Sequence, residues 1–398
     1  MSVHDAVVAA LAQLDGAADL GAVVARNDEF ALRSADEMDA APVGGQMPWV
    51  GRTITVKDWI DVAGLPCEGV SPQRTGRIPA RDATVVARLR AVGAIVVAKT
   101  QPGDSHPLHG RCLHPHDPNR TPGGSSSGEA ALIGRGASTL GLGSDSGGSI
   151  RLPAAWCGVV GLKPSAGLVP TTGHFPRVGE RADGRTVIGP LASTVDDAAA
   201  ALWVIAGPDG VDAGCVPVPV GLREIRLAGL RVAVVAEGAW APAASTQAAV
   251  DTALSHLRDA GALVVDSALP VHLDESLDIT QRYWQRAAHD STVTGVDVDV
   301  QLRDWDRFAG RMTRAAAGLD VVVGPVVRDV APMVRGLTGE DFVFTLPWSL
   351  TGWPAISLPA GVDSDTGLPL AVQIAAPRWH DDVAIAVARW LEPLLRVG

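Results

Sequence analysis

The amino-acid sequence predicts a globular α/β protein in which all 398 residues form one domain. Apolar residues recur at helical spacing over 82–92, Gly93 follows as a stop signal, and 94–99 is an apolar run typical of a strand buried on both faces. Helix and strand alternate again over 192–236 and 246–266, which is the order of elements in α/β proteins. No polar linker long enough to separate independent domains interrupts the pattern.

The remaining segments are assigned in chain order. Residues 1–47 are predicted to be an Ala-rich N-terminal helical region, 48–210 a core that carries the functional motifs, and 270–345 a region with few clear signals of regular structure. Shorter elements are a strand at 51–58, a helix at 129–136, closing strands at 355–358 and 370–374, and a final helix.

Composition excludes several classes of partner. The formal net charge of -11 opposes binding to nucleic acid or to an anionic membrane, and no run of 18 apolar residues occurs. The N-terminus lacks the charged and apolar regions of a signal peptide. The four cysteines show no CxxC spacing, so neither a disulfide framework nor a zinc site is predicted. A soluble cytoplasmic enzyme without nucleic-acid or membrane partners is the expectation.

A histidine-rich loop precedes the first serine-rich segment. It contains His106, His109, Cys112, His114 and His116. Their spacing matches no standard pattern of metal ligands. We therefore predict no metal and no cofactor, and interpret these histidines as solvated or as lining the entrance to a site.

Lysine is rare in this chain, because only three of the 33 basic residues are lysines and the others are arginines. A buried lysine can lose its proton, whereas an arginine in a protein cannot. Lys57 stands among the apolar residues Ile54, Val56 and Trp59, which would bury it. Taken alone, the residue is better interpreted as a lysine whose charged end reaches solvent from a strand edge.

The Gly/Ser segment 123–128 admits several interpretations. It is too short and too well flanked to be a linker, and the chain has no GxxxxGK[ST] phosphate-binding motif. The segment matches GxSxG, with Ser126 at the nucleophile position. That motif requires a preceding strand, and the prolines at 118 and 122 exclude one.

A second serine-rich segment offers a better nucleophile. Gly147 and Gly148 directly precede Ser149. Two consecutive glycines let the backbone approach a reacting carbonyl group and turn successive N–H groups toward it, which is the arrangement of an oxyanion hole. Ser149 would then attack the carbonyl group that this turn polarises, provided that a base is near.

Together these segments resemble the amidase signature family. The resemblance rests on the following stretches: VKD at 56–58, PGGSSSGEAALIG at 122–134, GSDSGGSIRLPA at 143–154, CGVVGLKP at 157–164, LTGWPA at 350–355 and GLPLAVQI at 367–374. It runs from about residue 50 to the C-terminus and is loose over 210–345. It implies a single compact domain with a large mixed β-sheet covered by helices on both faces.

The resemblance also assigns residues to roles. It makes Ser149 the nucleophile, Ser125 the bridging serine on a cis peptide bond, and Lys57 the base. The backbone N–H groups of 146–149 would form the oxyanion hole, that is, Ser146, Gly147, Gly148 and Ser149. Ser126 would support the site, and Asp145 and Arg151 would form an ion pair that shapes the loop.

The expected activity is hydrolysis of a small-molecule carboxamide to a carboxylate and ammonia or an amine. An esterase or carbamate hydrolase could use the same residues, and a catalytically silent binding protein or a transamidation subunit is less favoured. Variable segments build the pocket in this family, and here they are expected to be the 101–120 loop and the substrate-pocket region 270–345. Four aromatic residues are candidate walls: Tyr283, Trp284, Phe342 and Trp348. No feature of the sequence distinguishes a monomer from a homodimer.

Overall fold

One large β-sheet runs through the chain in a computed structural model that describes residues 1–41, 47–176, 185–219, 221, 225–236, 238–265, 269–287 and 298–396. The strands are β1 Val23–Ala25, β2 Thr53–Lys57, β3 Ile95–Thr100, β4 Ser105–His106, β5 Gly110–Arg111, β6 Leu140–Asp145, β7 Val160–Lys163, β8 Val187–Ala192, β9 Arg231–Ala236, β10 Leu263–Val264, β11 Leu269–Pro270, β12 Val321–Pro325, β13 Ala355–Val362 and β14 Pro369–Ala375. The helices are α1 Val3–Gly16, α2 Asp28–Ala40, α3 Thr84–Ala91, α4 Ser127–Gly134, α5 Arg151–Cys157, α6 Val195–Ile205, α7 Ala244–Asp259, α8 Leu273–Ala287, α9 Val298–Ala315, α10 Leu346–Leu350 and α11 Asp381–Leu395.

Within the described residues, twelve strands form the main sheet in the order β1-β3-β2-β6-β8-β7-β13-β14-β12-β9-β10, with β11 beside β9. The sheet is mixed, since β2 runs parallel to β3 and β6 while β6, β8, β7 and β13 are antiparallel in succession. The strands β4 and β5 form a separate hairpin. This confirms the predicted α/β class with a large mixed sheet.

Helices cover both faces of the sheet, as expected. Along β3, Val96 packs into the cluster that contains α3, α6, α7 and α11, whereas Ile95 and Val97 pack into the cluster with α1, α2 and α4. Successive side chains of a strand point to opposite faces, so an apolar residue at every position places the strand between two helical layers.

Two predictions about the elements need correction. No strand was predicted in the second Gly/Ser segment, 141–149, but its first part belongs to β6, a fully buried strand of the sheet. Region 270–345 is more regular than its sequence indicated, because it contains α8, α9 and β12. Residues 42–46, at the end of the predicted N-terminal region, lie outside the described residues, as do 288–297.

Candidate active site

The ends of three parallel strands bring the polar side chains of the site together. Lys57 is the last residue of β2, Thr100 the last of β3 and Asp145 the last of β6. Because these strands run in the same direction and are neighbours, their carboxyl ends lie at one edge of the sheet. Residues 57 and 145, which are 88 positions apart in the chain, thus share one location.

The two serine segments meet at this edge. Ser125 follows a cis Gly124–Ser125 peptide bond, as the sequence resemblance predicted, and stands just before α4. Ser149 stands just before α5. The backbone N–H of Ser126 donates to the carbonyl oxygen of Ser149 at 3.0 Å, which joins the two turns directly. Both Ser125 and Ser149 line one cavity.

Lys57 is completely buried behind this cavity and is surrounded by hydroxyl groups. Its Nζ atom lies 2.7 Å from Ser125 Oγ, 3.1 Å from Ser126 Oγ and 3.2 Å from Ser144 Oγ. The same atom lies 4.1 Å from the centre of the Trp59 ring. The structure therefore brings the predicted base and the predicted bridging serine into hydrogen-bonding contact.

Burial lowers the pKa of Lys57 well below its ordinary value of 10.5. The negative charges of Asp145 and Glu129 act in the opposite direction, since they favour the ammonium form. Desolvation dominates because the side chain has no contact with water, and a charged group loses its hydration when it is buried. A lowered pKa is what allows a lysine to accept a proton near neutral pH.

Sequence reasoning missed Glu129, a second titratable group beside the lysine. It projects from α4 between two strands and accepts hydrogen bonds from Thr55 Oγ1 and, at 2.7 Å, from Thr100 Oγ1. Burial raises the pKa of Glu129 to about 7, although both threonine hydroxyls oppose the shift. Glu129 lies one residue beyond the Gly/Ser segment. Its position in the run GEAAL was the only feature of the sequence that could have indicated its burial.

Asp145 and Arg151 form a buried ion pair, as predicted. Arg151 Nε donates to Asp145 Oδ2 at 3.0 Å and Nη2 donates to Oδ1 at 2.9 Å, which is the two-point geometry of a guanidinium on a carboxylate. Burial would raise the pKa of Asp145, but the Arg151 charge outweighs it and lowers that pKa to about 2. The remaining N–H groups of Arg151 donate to Thr345 O, Gln373 Oε1 and Ser349 Oγ.

The ion pair also fixes the predicted oxyanion turn. The backbone N–H of Gly148 donates to Asp145 Oδ1 at 2.7 Å, so this group is directed at a carboxylate rather than at the cavity. Within the part of the chain that the structure describes, the N–H groups of Ser146, Gly147 and Ser149 donate no hydrogen bond. Gly148 has a φ of +131°, which only glycine adopts readily.

The cavity in front of these serines has a volume of about 430 Å³, within the range of small-molecule sites. Three of the four predicted aromatic walls line it, namely Tyr283, Trp284 and Phe342. Lining residues that the sequence did not single out as walls come from several loops: Trp59, Gly103, His174, Pro176, Thr186 and Leu337.

A protein-family model described as Amidase matches residues 5–317 and 297–384, nearly the whole chain. The chain belongs to the amidase family. It is 32% identical to a glutamyl-tRNA(Gln) amidotransferase subunit of Nitratidesulfovibrio vulgaris (98% of this chain, 93% of that one). It is also 32% identical to a putative amidase of Mycobacterium bovis (90% of this chain, 82% of that one). The structure of a peptide amidase from Stenotrophomonas maltophilia superposes with a TM-score of 0.80 at 25% identity, covering 99% of this chain and 94% of that one.

Family membership supports hydrolysis of C–N bonds by this amidase, in agreement with the activity expected from the sequence. One predicted wall of its pocket is misplaced. Trp348 lies in α10, is 1% exposed, and stacks on Trp353 with ring centres 5.7 Å apart. It does not line the cavity but fills the core between the sheet and the helices α8 and α9. A large aromatic residue near a site can serve either purpose, and the sequence pattern does not separate them.

Two histidines of the histidine-rich loop, His106 and His114, are buried rather than solvated as expected, and none of the loop's histidines lines the cavity. His114 Nε2 lies 2.9 Å from the carbonyl oxygen of Trp156, and burial lowers the pKa of His114 to about 4. The rings of His106 and His109 lie 4.6 Å apart. Over the described residues, no group of three His, Cys, Asp or Glu side chains is arranged to hold a metal ion. In the same residues, no helix combines the length and the apolarity needed to cross a membrane.

Proposed function

We propose that this amidase hydrolyses a small-molecule carboxamide to a carboxylate and ammonia or an amine, through an acyl-enzyme on Ser149. The observation that carries the proposal is the contact of 2.7 Å between the buried Lys57 Nζ and Ser125 Oγ, at a cavity that Ser149 also lines. A serine hydroxyl needs a base that removes its proton as it attacks. A lysine held neutral by burial supplies that base.

The three hydroxyl groups around Lys57 can be satisfied by an ammonium group or by a neutral amine, and it is burial that favours the neutral form. A neutral amine has two N–H donors and one lone pair, and Lys57 has three hydroxyl partners. If the N–H groups donate to Ser126 and Ser144, the lone pair accepts the proton of Ser125 Oγ, the shortest of the three contacts. Ser125 can then accept the proton of Ser149 as it gives its own to Lys57.

The reaction follows from this arrangement. Ser149 Oγ attacks the amide carbonyl carbon, and its proton passes through Ser125 to Lys57. The carbonyl oxygen becomes an oxyanion, which the N–H groups of 146, 147 and 149 would stabilise. The C–N bond then breaks, and the leaving nitrogen takes the proton back through Ser125. Water hydrolyses the acyl-enzyme by the same transfers in reverse and releases the carboxylate.

Two other activities compete with this proposal. Esters and carbamates present the same carbonyl group, so matched amide, ester and carbamate substrates must be compared. The second is suggested by the relatives named as amidotransferase subunits. Such a role would require glutamine to be the preferred amide, which a direct glutaminase assay tests.

The proposed nucleophile is tested with a fluorophosphonate and peptide mapping by mass spectrometry. We expect one adduct, on the peptide that contains Ser149. The adduct disappears in Ser149→Ala and forms much more slowly in Lys57→Ala, while Ser364→Ala, which changes an exposed serine in a distant turn, behaves as wild type. An adduct on Ser126 would revive the GxSxG interpretation. No adduct on any serine would overturn the proposed mechanism.

A further inference from the structure

The described lining of the cavity is mainly apolar. Among its described lining residues there is no Asp, Glu, Lys or Arg. Apart from the polar residues His174 and Thr186, the larger side chains away from the serines offer mainly apolar surface: Trp59, Pro176, Tyr283, Trp284, Leu337 and Phe342. The catalytic lysine itself lies behind the serines and does not line the cavity. A charged group on a substrate would thus lose water without gaining an ionic partner from the described residues, which is strongly unfavourable.

Two of the aromatic residues lie directly against the turn that precedes Ser149. A Cβ atom on Gly147 would lie 2.6 Å from Trp284 Cζ2, and one on Gly148 would lie 2.9 Å from Phe342 Cδ1. The Trp284 and Phe342 rings are 5.4 Å apart and inclined at 75°, an edge-to-face pair. An acyl group bound at the reacting serine is therefore placed next to this aromatic pair.

The guanidinium group nearest to this wall is directed into the protein. Arg185 is completely buried, stacks over the Tyr283 ring at 4.5 Å, and donates to Thr280 Oγ1 at 2.6 Å and to the carbonyl oxygen of Ser146. It supports the wall from behind Tyr283 and is not among the lining residues. A substrate carboxylate in the cavity would not contact this charge directly, because Arg185 is buried and does not line the cavity.

We propose that the acyl group of the substrate is uncharged, flat and apolar, such as the one- or two-ring acyl group of an aromatic carboxamide, and that it packs against Trp284 and Phe342. Amides whose acyl group is charged are rejected, both amino-acid amides with an α-ammonium group beside the scissile carbonyl and glutamine, whose charged α-carbon is two methylene groups from its side-chain amide. This inference rests on the proposed function, since it assumes that Ser149 is the acylated residue. It separates this chain from relatives named for amidotransferase activity.

The test compares substrates that differ by one charge. 3-Phenylpropanamide and phenylalanine amide share ring and chain length, and only the second carries an α-ammonium group. We expect kcat/KM to be at least ~100-fold higher for the uncharged amide, because the charge would be buried without a partner. Benzamide and 2-naphthamide should be hydrolysed, and glutamine should not.

Variants test the aromatic pair. Trp284→Ala and Phe342→Ala should each lower kcat/KM for benzamide about tenfold or more, since each removes most of an apolar contact surface. Trp284→Phe keeps a ring and should retain most of the activity. Phe30→Ala, which removes an exposed ring on α2, is the control and should leave kcat/KM unchanged. If Trp284→Ala does not fold, Leu337→Ala tests the same wall.

The outcomes separate the two proposals. Equal turnover of charged and uncharged amides, or a preference for glutamine, overturns the substrate class while a fluorophosphonate adduct on Ser149 still supports the mechanism. An adduct on Ser149 together with no turnover of any aromatic carboxamide also overturns the class. If neither an adduct nor any turnover is observed, the proposed function itself is wrong. Wild-type kcat/KM for benzamide in folded Trp284→Ala and Phe342→Ala overturns the role of the pair.

Discussion

The backbone N–H of Gly148 and the carboxylate of Asp145 are joined by a hydrogen bond of 2.7 Å. The same carboxylate accepts the N–H of Ile150 at 3.2 Å and pairs with Arg151. One buried carboxylate therefore holds the backbone on both sides of Ser149. The shape of this turn therefore depends on the Asp145–Arg151 ion pair as well as on Gly147 and Gly148.

We expect Asp145→Asn to destabilise the protein by about 3–5 kcal/mol, because it leaves the Arg151 charge buried without its partner. The free energy of unfolding in urea measures the effect. Asp117→Asn is the matched control, since it breaks an ion pair with Arg120 near the surface and should cost at most about 1 kcal/mol. Equal losses in the two variants would show that the buried pair has no special role.

The charge of Lys57 should control the acid side of the pH–rate profile. Burial lowers its pKa well below 10.5, so the neutral base persists to a lower pH than in an exposed lysine, and activity is lost as the pH falls through the pKa of the folded state. Lys57→Arg cannot release its proton, and we expect kcat to fall roughly 10²–10⁴-fold at every pH. The measurement is kcat from pH 5 to 10 with circular dichroism as a folding check. Wild-type kcat in folded Lys57→Arg would exclude the lysine as base.

Glu129 should make stability depend on pH in an unusual direction. With a pKa of about 7 in the folded state and 4.5 ordinarily, the folded protein keeps a proton that the unfolded chain loses between these values. The contribution of Glu129 to the free energy of unfolding is thus fully present below pH 4.5 and is lost as the pH rises to 7. Between these two pH values, we expect the free energy of unfolding of Glu129→Gln to rise relative to that of wild type by on the order of 3 kcal/mol.

Urea denaturation at several pH values measures this difference, with Glu37→Gln on the exposed face of α2 as the control. The variant should also lower the pKa of Lys57 further, because the Glu129 charge raises it. The acid limb of the pH–rate profile would then move to lower pH. A constant difference in stability between Glu129→Gln and wild type at all pH values would contradict the assigned shift.

Gly141 is required by a close approach within the sheet. A Cβ atom there would overlap Glu129 Oε2 and would lie 2.7 Å from Thr55 Oγ1. Gly141→Ala should therefore lower the free energy of unfolding by about 3 kcal/mol or more, as overpacking of a rigid interior does. Gly16→Ala, where nothing lies within 4 Å, should change it by no more than about 1 kcal/mol. A Gly141→Ala protein as stable as wild type would show that α4 can move away from the sheet.

The sequence was most informative where a short motif and a strong chemical requirement coincide. The approach of Lys57 to Ser125 was predicted from the motifs, and the structure brings the two side chains together. Glu129 was not found, because its burial depends on α4 lying against β2 and β3, which no local pattern specifies. Trp348 was misplaced because nothing in its neighbourhood distinguishes a core position from a pocket wall.

The errors in the fold have similar causes. The strand β6 was missed because Gly141, Gly143 and Ser144 disfavour a strand by composition, although close packing against Glu129 and Ser126 demands glycine there. The helix α9 carried a usable signal. Gln301, Phe308 and Met312 recur at helical spacing and are buried on one side of it, but charged residues between them concealed the pattern.

The proposed reacting groups and the walls of the pocket belong to different elements of the fold. The proposed base Lys57 belongs to β2, and the proposed reacting serines lie in the turns before α4 and α5, whereas Tyr283 and Trp284 belong to α8 and Leu337 to a loop. Exchanging the helix and the loop would alter which compounds fit without disturbing the reacting groups. A few substitutions in these wall segments could thus change the substrate specificity of this fold in evolution, while the reacting groups remain the same.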